Sequence, residues 1–247
     1  MTIPEFSSKF DVLLNSYNFP PEFGDTNPKF NPALNEYEKS VFLTEAEREI
    51  FVSLYTGRDI TEGGFEVTEE NRRYLDTLVE SKSYTPSSSY NDEYKASSNS
   101  VVVTLDKDVA FITMEQVTYD SEDACLDKFR AKVYPVTQDE FARVKDNPFR
   151  GPTKYKVLRL DIDQNKVELI PAEGYKIKKY LVRYLRKPNP IILTDLRGTG
   201  LTIDGDDEPS TECEMDSMLH DAILRRAVVL AVNSKSLGMP STNNKNE

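Results

Sequence analysis

TECEMDSMLHDAILRRAVVLAV, residues 211–232, decides how the rest of this 247-residue chain is read. It holds the only histidine, His220, one of the two cysteines, Cys213, and four carboxylates, so it is either a reactive centre or a packing helix. Asp216 and His220 share a helical face, with Cys213 within reach. A structural zinc centre needs about four protein ligands and a catalytic one about three, and one histidine with two cysteines falls short. Met215, Met218, Leu219, Ala222, Ile223, Ala227, Leu230 and Ala231 recur with helical period, acids occupy the first turn, and Arg225 and Arg226 lie toward the C-terminal half. A packing helix over 211–233 explains more residues than a ligand site does.

The same periodicity marks helices at the other end of the chain. EFSSKFDVLLNSY (5–17) spaces Phe6, Phe10, Leu13, Leu14 and Tyr17 along one face and stops before Pro20 and Pro21. In LNEYEKSVFLTEAEREIFVSLYTG (34–57), Asn35 and Glu38 have capping-box spacing and Gly57 is a C-terminal stop. The apolar face assigned there includes Val41, Phe42, Ile50 and Leu54, to pack with Leu219, Ile223, Ala227 and Leu230. TEENRRYLDTLVE (68–80) reads as a third helix. The serine- and tyrosine-rich stretch 81–100 suits a surface loop, a paired strand or an arm ordered by a neighbour.

Between these helices the sequence turns β-branched and alternating. Strands are predicted at 100–105, 108–120, 129–136, 154–163, 166–171 and 176–188, with a hairpin turn at Asp163–Lys166 and a short helix starting at Thr137, three residues before Glu140. The predicted fold is α+β: a helical layer built from residues 1–80 and 211–233, an inserted antiparallel β domain over 100–195, and a disordered tail over 234–247.

Composition limits the function. A formal charge of −11 disfavours nucleic acid as the main partner. No membrane-length apolar run or secretory signal is read, and the distant cysteines suit a reducing compartment. There is no nucleophile elbow, phosphate-cradling loop or calcium-loop spacing, and no cofactor or metal is expected. A hydrolase using Asp204, Asp206 and Asp207 on a metal is the enzymatic alternative, and a β-domain binding module is a third.

One contrast remains. KIKKYLVRYLRK (176–187) carries Lys176, Lys178, Lys179, Arg183, Arg186 and Lys187, and the segment after it carries Asp204, Asp206, Asp207 and Glu208. Lysines can guard an edge strand against aggregation. The two blocks can equally form a heterologous contact, the basic strand of one copy against the acidic loop of the next.

LNEYEKSVFLTEAEREIFVSLYTG, YPVTQDEFARVKDNPFRGPTKYKVLRLD with KYLVRYLRKPNPIIL, and TECEMDSMLHDAILRRAVVLAV together resemble the head-to-tail connector ring proteins of crAss-like tailed phages. That resemblance implies a non-enzymatic virion protein forming a ring, a dodecamer if it follows the portal. Its implied partners are the portal and other neck or tail rings, with genomic DNA passing through the lumen without specific binding. It brings no active-site residues.

Overall fold

The computed structural model describes residues 1–16, 34–57, 69–86, 95–120, 129–205 and 208–236. In chain order the elements are α1 (Ile3–Ser16), α2 (Glu36–Thr56), α3 (Glu69–Leu75), β1 (Val79–Tyr84), β2 (Val101–Thr104), β3 (Val109–Tyr119), β4 (Arg130–Pro135), α4 (Gln138–Val144), β5 (Lys156–Asp163), β6 (Lys166–Ile170), β7 (Ile177–Arg186) and α5 (His220–Ser236). They divide between two compact units, a helical one (Met1–Leu78 with Pro188–Glu247) and a β one (Val79–Lys187). The architecture is α+β.

The helical unit starts from local chemistry. Asn35 accepts the Glu38 N–H at 2.8 Å while the Glu38 carboxylate accepts the Asn35 N–H at 2.9 Å, so two N–H groups left over at the start of α2 are satisfied. Gly57 ends α2 in the left-handed region at φ 70° and donates to the Ser53 carbonyl at 2.8 Å. α5 packs against α1 and α2, burying Phe6, Phe10 and Leu14 of α1 and Leu43, Phe51 and Leu54 of α2. α3 is shorter than the 68–80 reading: it passes through a 3-10 turn, Asp76–Leu78, into β1.

The β unit is a seven-stranded sheet among the described residues, ordered β1-β7-β3-β4-β5-β6-β2. β1 lies where the reading left a loop or strand. Its exposed Glu80, Ser81, Lys82 and Ser83 carry no apolar alternation, and pairing with β7 supplies its register, from Val79↔Leu185 to Tyr84↔Tyr180. The chain therefore enters and leaves this unit on neighbouring strands. The sheet is not wholly antiparallel, as the sequence reading had it. β4 and β5 run parallel, Lys132 opposite Lys156, because α4 lies between them as a crossover. The β5–β6 hairpin closes where expected, with Asp163 opposite Lys166.

One sheet face carries the main core, including Val117, Tyr119, Val133, Val157, Tyr180 and Tyr184. On the opposite face Phe141 and Val144 of α4 cover Leu158, Leu160 and Ile170. Residues of that second face on β1, β7, β3 and β4 stay open: Ser81, Ser83, Met114, Lys132, Lys179 and Arg183 are exposed. In the turn that follows the short helix, an added Cβ at Gly151 would stand 2.7 Å from the Asn147 carbonyl oxygen, so only glycine fits without backbone movement.

Candidate functional site

β7 is not an edge strand. It lies between β1 and β3, so the edge-guarding reading of its lysines does not apply. Strand alternation also splits the basic block. Lys179 and Arg183 stand on the open face, opposite Thr118 and Met114 of β3. Arg186 is instead paired with Glu80 of β1 at 3.1 Å. Lys178 is exposed on the strand, and Lys176 and Lys187 flank it: the Lys176 carbonyl accepts the Asp120 N–H and the Lys187 N–H donates to Asp108.

Three further cations join Lys179 and Arg183 on the open face. Thr118 is opposite Arg130, Gln116 is opposite Lys132, and Lys132 is opposite Lys156 across the parallel pair. Lys156 lies over the Tyr134 ring, 5.1 Å from its centroid, and donates to the Arg150 carbonyl at 2.5 Å. Arg183 donates to the Ser81 hydroxyl at 3.2 Å. The sequence reading missed Arg130, Lys132 and Lys156. Their signal was present in the basic alternation of FRAKVYPV and KYKV.

The acidic partners proposed from sequence are placed only in part. Asp204 is held by the Arg48 guanidinium of α2, within the helical unit. Asp206 and Asp207 lie outside the described residues. Glu208 is half-buried, and its carbonyl accepts the Leu196 N–H at 3.1 Å.

The opening motif resolves into packing chemistry. The His220 ring is buried, stacks obliquely against Phe6 with centroids 5.4 Å apart, and bonds the Met215 carbonyl at 3.1 Å and the Met1 amine. Cys213 donates its thiol to the Glu47 carboxyl at 3.2 Å. Burial pushes the Glu47 carboxyl up to about 8, with Glu214 adding to the effect and the Cys213 hydrogen bond opposing it. Burial likewise pushes the Cys213 thiol far above its usual range, which leaves it protonated and unreactive. Among the described residues no group of three or more His, Cys, Asp or Glu side chains could hold a metal ion. No described helix is long and apolar enough to cross a membrane.

The packing residues read from sequence divide as well. Leu54, Leu219, Ile223 and Ala227 are buried, Phe42, Ile50 and Leu230 are half-buried, and Val41 is exposed. The buried stripe of α2 runs instead through Lys39, Ser40, Leu43, Thr44, Ala46, Glu47, Phe51 and Leu54. Ser40 and Thr44 accept the N–H groups of Leu193 and Ile191 at 2.9 and 3.1 Å, and Ile192 between them pairs with Thr211, so this buried connecting segment has its N–H groups satisfied. Met218, in the turn just before α5, and Ala222 of α5 are exposed, while Leu224 and Val228 are buried in their stead.

A second polar cluster sits inside the β unit. Tyr180 donates to Glu115 at 2.7 Å, Arg159 bonds the other oxygen of that carboxylate, and Asp161 lies 3.1 Å from Arg159 Nε. Burial raises the Glu115 carboxyl while Arg159 and Tyr180 hold it down. With its oxygens held by fixed partners, this cluster ties β3, β5 and β7 together and has the character of a structural network.

Among the described residues no assembled catalytic set is found, and the cationic sheet face is an exposed cluster of charge. The family model of phage tail ring protein 3/4 matches residues 1–245, nearly the whole chain. The chain belongs to this family of phage ring proteins. It is 46% identical over 238 residues to Ring protein 3 of Bacteroides phage crAss001, covering 96% of this chain and 97% of that one. It is 31% identical over 240 residues to Ring protein 4/5 of the same phage, covering 94% and 92%. The ring protein is thus kin to structural components rather than to enzymes, and the hydrolase reading of Asp204, Asp206 and Asp207 gives way to it.

Proposed function

We propose that this ring protein is a virion subunit that assembles with copies of itself into a closed ring in the head-to-tail connector, between the portal and the tail, with genomic DNA passing through the lumen. The observation that carries the reading is the family match along nearly the whole chain. Twelve copies per ring follow if the ring matches its portal, and the portal and adjacent neck or tail rings are its partners. A net charge of −11 suits a passage that must not grip phosphates.

Charge partition supports a head-to-tail contact between copies. The helical unit has 25 acidic and 12 basic residues, net −13, and the β unit has 17 acidic and 19 basic, net +2, together making the −11 of the chain. A surface of one sign meeting a surface of the other on the next copy is a heterologous interface, which closes into a ring when the rotation permits. Microscopy of purified virions with labelled protein tests the location, and solution mass at high concentration tests the assembly. A chain missing from the particle, or one that never exceeds monomer mass, would sink the proposal.

A further inference from the structure

The open face of the sheet bears five cations, Lys179, Arg183, Arg130, Lys132 and Lys156, and none of them meets a carboxylate among the described residues. Elsewhere in the same molecule Lys39, Arg48, Arg159, Arg186 and Arg226 are each paired with an acid. Lys132 stands directly opposite Lys156, and Thr118 alone separates Arg130 from Lys179 along one row. Like charges in such positions repel one another, and an anionic partner laid across them relieves that repulsion. Met114 and Tyr134, 41% and 45% exposed, lie among the cations with half-buried Leu181. Exposed Met, Tyr and Arg side chains are among the types enriched at protein interfaces.

We infer that this face receives the acid-rich connection preceding α5 of a second copy of the chain. The inference rests on the ring reading and specifies its contact. That connection has no basic residue between Glu208 and Glu214 and belongs to the unit with net charge −13. Its exposed acid is Glu212; Glu208 is half-buried, and the Glu214 carboxylate accepts the Asn189 N–H at 3.2 Å and the Asn189 side-chain amide at 2.9 Å. From β7 to β5 the face spans three strand spacings, roughly 14 Å, which about five extended residues cross. Nucleic acid is the poorer occupant, because a gripping surface would oppose passage of the genome.

Three chains test the contact by light scattering: wild type, a face variant (Lys132→Glu with Arg183→Glu) and a connection variant (Ser210→Lys with Glu212→Lys), all substituted at exposed positions. Each variant alone is expected to stay monomeric where wild type assembles. Their equimolar mixture is expected to stop at a heterodimer, since only one sound face and one sound connection remain per pair. A neutral face variant, Lys132→Gln with Arg183→Gln, checked for fold by circular dichroism, is expected to raise the half-assembly concentration at least tenfold. Wild-type rings with face variants that assemble equally well, or a mixture that forms no dimer, overturn the inference and leave the ring standing. A wild-type chain that remains monomeric overturns both. Duplex DNA retained by wild type and lost by the neutral variant, with assembly unchanged, assigns the face to nucleic acid and overturns it.

Discussion

Glu47 shows how one residue can make this fold sensitive to pH. Its carboxyl is fully buried, bonded to the Cys213 thiol, and raised from about 4.5 to about 8. Between those values the folded chain holds a proton that the unfolded chain has released, so the stability contributed by this group is whole below about pH 4.5 and is lost as pH rises through 8. Replacing Glu47 by Gln keeps the shape and removes the titration. Thermal melts from pH 5 to pH 9 are expected to show wild type falling relative to Glu47→Gln, by at most a few kcal/mol across the window; parallel curves would refute the assignment. Cys213, half-buried and bonded to Glu47, is expected to resist alkylation at pH 8 until denaturant is added, as peptide mass mapping would show, and rapid labelling of the native chain at this position would contradict the raised thiol. A histidine and a cysteine suggested chemistry in the sequence, but their partners, Phe6, Met215 and Glu47, are visible only after folding.

At the scale of elements, α2 depends on its first turn. Asn35→Ala removes the acceptor for the Glu38 N–H and half of the reciprocal cap. The expected loss is about 1 kcal/mol, read as a lower denaturant midpoint with unchanged slope; no shift would mean the cap is idle. This cap, the Gly57 stop and six of the strands were legible because each is a local rule written in adjacent residues. Three features were not. β1 is polar and takes its place from β7 by backbone pairing. The parallel β4–β5 pair depends on where α4 crosses, which alternation along either strand does not encode. The inward face of α2 was misplaced by a step because Ser40, Thr44 and Glu47 are polar, and they are buried to serve the backbone of 191–193 and the Cys213 thiol. For the same reason the candidate surface was only half visible: the basic run of β7 could be read, while its company on β4 and β5 follows from the order of strands.

For the whole molecule, the contrast between a helical unit at −13 and a β unit at +2 predicts assembly that responds to salt. Raising ionic strength from about 0.05 M to 0.5 M shortens the screening length severalfold, and the mean mass in solution is expected to fall; a mass indifferent to salt would point to an apolar contact instead. The β unit begins and ends on paired strands, with Val79 at its start beside Leu185 near its end. Joining residue 78 to residue 188 through a short glycine-serine bridge is therefore expected to leave a folded helical core, seen as retained helical dichroism with a cooperative melt, and loss of both would show that the helices need the sheet. Those two neighbouring crossings make the sheet a cassette. Recombination at just two points can exchange it between related genes while the helical framework is inherited intact.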